Sequence, residues 1–311
     1  MDYTQKISER HWNLPDKGER EAAREQTFLD DIILHSHIEK ELLSSLEGIT
    51  TVFDGGGGCG RFSILLAGLG CQVTHFDISQ PMLDKAAQLA TQAGVAHRIT
   101  FVKGALEDLS AYPDNSFDLV MSFDAPISYT WPNQESVIAG LVRICNKKIL
   151  LSVSSRLGSL PYLSSPLDKS RFLLTEDCGD AWAQWCISNY QSAVENFTFN
   201  ASPCTQLLDT GLLGDGSEIA EYEAGGSPWP ITYTFLPEEL ERILRQNGVR
   251  EISLAGPGAY ARTLPPPILR KILQDPSQKS AFLDFCHTFD QHPSVCGLGK
   301  DNLFAKGVIA Q

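Results

Sequence analysis

The sequence predicts an α/β fold, and three observations carry that prediction. From residue 49 to residue 154, short apolar runs rich in β-branched residues alternate with amphipathic helical runs. The first run, Ile49 to Phe53, leads through a polyglycine bend into Phe62-Ser63-Ile64-Leu65-Leu66-Ala67, whose apolar face suits a helix packed back on the strand. A second strand, Gln72 to Asp77, ends on an acid roughly 20 residues beyond the glycines. At 311 residues the chain is one large or two small domains, with ample material for a buried core.

The bend is Asp54-Gly55-Gly56-Gly57-Gly58-Cys59-Gly60-Arg61. Without Cβ atoms it can adopt positive φ and let a ligand touch backbone. The N–H groups opening the next helix then favour a carboxylate or phosphate. Gly55, Gly57 and Gly60 satisfy the G-x-G-x-x-G spacing of dinucleotide-binding turns. Asp54, directly before them, would oppose a pyrophosphate, which disfavours an NAD(P)-linked enzyme and suits a ligand that also carries a cation. Asp77 stands where a Rossmann-like fold grips ribose hydroxyls, and an ionised carboxylate can accept from both.

Asp54-x-Gly56-x-Gly58-x-Gly60 resembles motif I of the class I S-adenosylmethionine-dependent methyltransferases, and the run from Val73 to Leu83 is similar to their second motif. The resemblance implies S-adenosyl-L-methionine as cofactor. Its amino-acid end would lie at Asp54, Gly55, Gly56, Gly57, Gly58 and Gly60, its ribose at Asp77, and its adenine against Ile78 and Met82. In the family the loop after the third strand reads adenine, commonly with an Asp after a Gly. Here Gly104 is followed by Ala105, a departure, so the exocyclic amine must find another acceptor in Glu107, Asp108 or a backbone carbonyl, and Leu106 and Glu107 join the cofactor set. Phe117-Asp118-Leu119-Val120 looks like the fourth-strand signature, and Phe123 closes the cofactor set. Thr234 to Glu241 and Asn247-Gly248-Val249 are similar to the family's late segment, and Leu303 to Ala310 fits its antiparallel seventh strand. The fold so implied is a Rossmann-like seven-stranded, mostly parallel sheet with an antiparallel last strand, helices on both faces and helical cap insertions.

The remaining elements follow in order. Residues 1–48 read as an N-terminal arm and cap helix: an extended arm to about residue 18, then a helix from Glu19 to Glu47, with Phe28, Ile32, Ile33, Ile38 and Leu42 at helical steps and Gly48 as the stop. Residues 49–158 are the cofactor-binding core, with a helix at 81–93, strands at 99–103 and 117–123, a helix at 136–145 and a strand at 147–154. Residues 159–230 carry many aromatics among Gly and Pro, and read as a substrate-lid insertion with a helix around 180–197, since a structureless loop of that length is improbable. The sheet resumes over 231–256 and closes over 301–311, with a second helical insertion at 257–300.

A net charge of -13 and a pI near 4.9 argue against sequence-independent nucleic-acid binding. Eight scattered cysteines without C-x-x-C or zinc-ligand spacing fit free thiols in a cytoplasmic protein and suggest no metal. No stretch nears 18 apolar residues, so no membrane span or signal peptide is expected. The expected partner is a small-molecule methyl acceptor, met by a monomer or homodimer, with O- or N-methylation by in-line displacement at the sulfonium methyl. A non-catalytic cofactor-binding or scaffold subunit is the alternative. Ligands in open α/β sheets lie beyond the carboxyl ends of the strands, which makes Asp124, Tyr129 and Tyr233 the candidate catalytic residues. His35, His37 and His287 are further candidate bases, Arg156 a candidate clamp for a substrate carboxylate, and Tyr3, His11 and Trp12 candidates to face the site.

Overall fold

A computed structural model describes residues 3–164, 184–185, 188–189, 192, 194–214 and 216–310 of the chain. Seven strands form one sheet in the order β3-β2-β1-β4-β5-β9-β8. Their ranges are β1 Thr51–Gly55, β2 Gln72–Asp77, β3 Ile99–Lys103, β4 Phe117–Ser122, β5 Cys145–Ser154, β8 Val249–Ala255 and β9 Asn302–Ile309. The pairs from β3 through β5 are parallel, and β9 enters antiparallel between β5 and β8. This is the mostly parallel sheet with an antiparallel last strand that the sequence predicts.

Parallel strands buried on both faces need helices on both, and the apolar pattern supplies them. On one face α7 (Gln134–Ile144) and the helix Pro237–Gln246 bury Val137, Ile138, Leu141, Leu240 and Leu244 against Phe53, Phe117, Ile149 and Leu151. On the other, α4 (Leu29–Ser44) and α5 (Arg61–Gly68) set Leu34, Ile38, Leu42, Phe62 and Leu66 against Val52, Val73, Met121 and Phe304. A smaller core joins Leu29 and Ile33 of α4 to Leu269 and Cys286 of the second insertion, whose helices are Pro266–Gln274 and Pro276–Asp290.

Three expectations are corrected. The first residues are not an extended arm: Tyr3–Trp12 is helix α1, followed by α2 (Lys17–Ala22) and α3 (Arg24–Thr27). The buried face of α1 is Thr4, Ile7, Ser8 and His11, mostly polar types, so its helical period leaves little hydrophobic signal. The single helix expected over 19–47 is likewise broken, because Phe28 is extended (φ -120°, ψ 132°) between α3 and α4. Of the run Ile231 to Phe235, only Phe235 meets the main sheet, in one parallel bridge to Ser155 just beyond β5. β7 (Thr232–Tyr233) pairs instead with β6 (Leu212–Leu213), because β9 already occupies the outer edge of β5. The expected helix around 180–197 lies largely outside the described residues. No helix among the described residues is long and apolar enough to cross a membrane.

Candidate active site

The carboxyl ends of β1, β2, β4 and β5 open onto one cavity of about 950 Å³. Its lining includes Asp54, Gly56, Gly57, Gly58, Asp77, Ile78, Met82, Leu106, Glu107, Phe123, Asp124 and Tyr129, so one hollow gathers most of the residues singled out from the sequence. Gly55 and Gly60 stand behind it. A Cβ on Gly55 would meet Leu106 at 2.9 Å, and Gly60 starts α5 at φ +79° against Ala86, so both serve close packing.

The bend is held from within. Gly56 and Gly57 donate to the Phe76 carbonyl (2.7 and 3.2 Å), Gly58 donates to Asp77 Oδ2 (2.9 Å), and Gly60 donates to the Gly57 carbonyl (3.0 Å). These amides therefore hold the curve of the bend. Gly56 has φ +70°, and a Cβ there would lie 2.4 Å from Pro126. Below the bend, Asp54 accepts from Ser63 Oγ (2.6 Å), Ser63 contacts His75 Nδ1 (3.0 Å), and His75 Nε2 meets the Gly58 carbonyl (3.1 Å). Burial lowers the affinity of His75 for a proton, but the Asp54 carboxylate 3.6 Å from its Nδ1 outweighs this and raises the pKa. Asp77 is buried, with Oδ1 accepting from the Ser79 amide (2.8 Å), and desolvation raises its pKa.

The second half of the cavity is charged. Arg24 grips Asp31 through Nη2–Oδ1 (2.6 Å) and Nε–Oδ2 (3.0 Å), and its Nη1 reaches Asp124 Oδ2 (3.1 Å). His35 lies 3.4 Å from Asp124 through Nε2 and 2.7 Å from Glu25 through Nδ1, and Glu25 also pairs with Arg61 (3.0 Å). Burial opposes ionisation of Asp124, yet Arg24 and His35 hold its carboxyl well below the usual range. Burial likewise works against a charged His35, but hydrogen bonds to Asp124 and Glu25 raise its pKa to about 9. Asp31 is pushed up to about 6 by burial, against the pull of Arg24. Asp124 and Ala125 both have positive φ (63° and 65°), a conformation that costs roughly 1–2 kcal/mol per non-glycine residue and must be over-determined by its surroundings. Part of that support is the Asp124 amide bonded to Ser152 Oγ (2.8 Å).

An aromatic wall closes the top. Trp12 lies 5.7 Å from Tyr129 and 5.8 Å from Trp229 between ring centroids, and His11 lies 4.8 Å from Trp229. Desolvation raises the Tyr129 pKa strongly.

Several candidates fall elsewhere. Tyr233 does not line the cavity: its hydroxyl donates to Glu239, and Arg156 binds the same carboxylate (2.9 Å) and the Thr234 carbonyl (2.8 Å). Tyr233 and Arg156 thus fasten β7 to the helix Pro237–Gln246. Tyr3 is exposed and donates to Glu223 (2.5 Å). His37 and His287 meet each other on the far side of α4. Sequence reading missed Arg24, Glu25, Asp31 and Arg61; their only local signal is the charged face that Glu25, Asp31 and His35 give to α3 and α4.

Residues 52–148 match a family described as "Methyltransferase domain". Sterol 24-C-methyltransferase erg6 of Aspergillus fumigatus is 24% identical over 193 residues, which is 62% of this chain and 49% of that protein. The tRNA 5-carboxymethoxyuridine methyltransferase of Escherichia coli K12 is 36% identical over 70 residues, 22% of this chain and 27% of that protein. The chain thus spans about half or less of the length of these relatives. Magnesium protoporphyrin IX methyltransferase from Synechocystis PCC 6803, solved with bound S-adenosylhomocysteine, superposes with a TM-score of 0.51 at 14% identity, covering 99% of this chain and 100% of that one, a likeness of fold. Together with the strand order and the glycine bend, the match over 52–148 means that this chain carries a class I S-adenosylmethionine-dependent methyltransferase domain.

Proposed function

We propose that the protein transfers the sulfonium methyl of S-adenosyl-L-methionine to a small organic acceptor, on oxygen or nitrogen. The observation that carries this reading is a single cavity in which a cofactor half and a charged, aromatic-walled half are continuous. In the first half Asp77 takes the ribose hydroxyls. Asp54 and the bend from Gly56 to Gly58 take the amino-acid end, and Ile78, Met82, Leu106 and Glu107 surround adenine. Phe123 stands between the halves, facing the sulfonium. The acceptor enters beside Asp124 and Tyr129 and is held on the S–CH₃ axis, so that alignment supplies most of the rate. The thioether leaves uncharged as the new bond forms.

In the free protein neither Asp124 nor His35 is poised to take a proton at neutral pH. Asp124 is held ionised with a depressed pKa, and His35 is held protonated. Tyr129 is an acid too weak to ionise there. The arrangement therefore fits an acceptor that arrives nucleophilic, a neutral amine or an oxyanion, better than one needing deprotonation. A net charge of -13 supports a small acceptor over an RNA. Cys59, Cys71, Cys145, Cys286 and Cys296, in no disulfide among the described residues, go with a cytoplasmic setting.

The test is calorimetric titration with S-adenosylmethionine, followed by S-adenosylhomocysteine release on a panel of small amines, phenols and carboxylic acids, with a tRNA arm. Binding with turnover on a small acceptor supports the proposal. Tight binding with no turnover on any arm favours a cofactor-binding subunit, and turnover on tRNA alone overturns the small-acceptor reading.

A further inference from the structure

While Asp31 and His35 face the cavity, α4 turns another face to the helix Pro276–Asp290, and there three ligand-type side chains converge. His37 and Glu41 sit one turn apart on α4, at the i, i+4 spacing that places both on one face. His287 reaches them from the second insertion, with its ring centroid 4.8 Å from that of His37. One ligand atom from each of the three lies within 4.8 Å of the others. His37 is 3% exposed, and both of its ring nitrogens are buried without a hydrogen-bond partner. A buried imidazole is normally satisfied on at least one nitrogen, because an unmet polar group forfeits its hydration. His37 packs against Phe304, which supplies no acceptor.

We propose that His37, Glu41 and His287 form a site for a divalent transition-metal ion, zinc by ligand type, clamping α4 to the second insertion. Two imidazole nitrogens and one carboxylate oxygen are a borderline-soft donor set suited to zinc, with a water completing four ligands. Ligand atoms around one zinc at ~2.0–2.1 Å lie about 3.4 Å apart, so side-chain rotation of about 1 Å closes the set around the ion. Without the ion, Glu41 is served by substitutes. His287 Nε2 lies 2.8 Å from Oε1, Gln291 Nε2 lies 3.2 Å from the same oxygen, and the Lys306 ammonium lies 2.5 Å from Oε2. Lys306 is the competitor: its side chain is 34% exposed and can swing into water when the ion enters. The ion would fix the helix that presents His35 to Asp124 and Asp31 to Arg24, and it takes no part in the methyl transfer.

The test uses the full chain stripped with a chelator. Zinc is titrated by calorimetry, cobalt by visible absorption, and thermal unfolding is followed with and without zinc. We expect one equivalent of zinc, a higher Tm, and a cobalt spectrum free of thiolate charge-transfer bands. Loss of either imidazole in His37→Gln or His287→Gln should weaken zinc by more than the roughly 10–100-fold that loss of an outer-shell partner costs. Lys306→Gln, a half-exposed change that leaves the core intact, should bind zinc about tenfold tighter than the parent, by removing a charge worth about 1.4 kcal/mol per tenfold. Equal zinc affinity in the parent and in His37→Gln, unchanged or weaker affinity in Lys306→Gln, or a cobalt–thiolate band would each overturn the site.

Discussion

His35 gives the most quantitative test of the charged half of the cavity. Its pKa is 6.5 in an unfolded chain and about 9 in the fold, because Asp124 and Glu25 hold its two nitrogens. A folded-state pKa above the unfolded one means the proton stabilises the fold. That contribution is complete below pH 6.5 and is lost as pH rises through about 9. At about 1.4 kcal/mol per unit the upper bound is about 3.5 kcal/mol. Glu25 and Asp124 are about a third exposed (33% and 30%), so water screens the pairs and about 1–2 kcal/mol is the working expectation. The assay is urea unfolding of the parent and of His35→Gln at pH 6 and pH 9.5. Other groups titrate in both proteins, so the quantity of interest is the gap between the two curves. It should be about 1–2 kcal/mol at pH 6 and close by pH 9.5. A gap of the same size at both pH values would mean that His35 is neutral in the fold, and would remove the argument that Asp124 and His35 are mutually charged.

Three further outcomes follow from the cavity. Asp77→Ala should weaken S-adenosylmethionine by about 1.5–3 kcal/mol, the value of hydrogen bonds to a charged group, which calorimetry would read as roughly a 10–150-fold loss; unchanged affinity takes Asp77 out of the site. Gly56→Val forces a Cβ to 2.4 Å from Pro126 at φ +70°, so it should abolish either cofactor binding or folding, and a variant that folds and binds normally contradicts the assignment of the bend. Asp124→Asn should cut turnover more than cofactor affinity if this carboxylate orients the acceptor, whereas equal losses would place it with the cofactor.

The parts of this fold that could be read from the sequence are those governed by local signals. β3 at Ile99–Lys103 and β2 at Gln72–Asp77 have the predicted limits, since each is an apolar run bounded by a turn. The glycine bend was legible because consecutive residues without side chains admit few explanations, and three of its positions do have positive φ. The ladder partner of a strand is not local, however. Ile231 to Phe235 has a strand's composition, yet β9 had the better claim to the edge of β5. Likewise α1 was hidden because Ile7 is the one apolar residue among the four that it buries, the others being Thr4, Ser8 and His11.

The candidate site divides along the same line. Its cofactor half is a contiguous motif plus an acid at a fixed distance. Its acceptor half exists only after folding has brought Arg24 and His35 to Asp124, 100 and 89 residues away in sequence. That separation bears on specificity. Asp124, the carboxylate proposed to lie beside the acceptor, is neutralised by residues of α3 and α4, outside the matched domain at 52–148. Two chains with the same 52–148 segment but different residues at positions 24 and 35 would present an ionised, unpaired Asp124, which is suited to a cationic acceptor or to taking a proton. In this chain the same aspartate is a bound counter-ion. On this argument the choice of acceptor is written in the N-terminal helices at least as much as in the aromatic insertion, and exchanging Arg24 for Met should shift acceptor preference toward cations while leaving the Asp77 contacts to the cofactor in place.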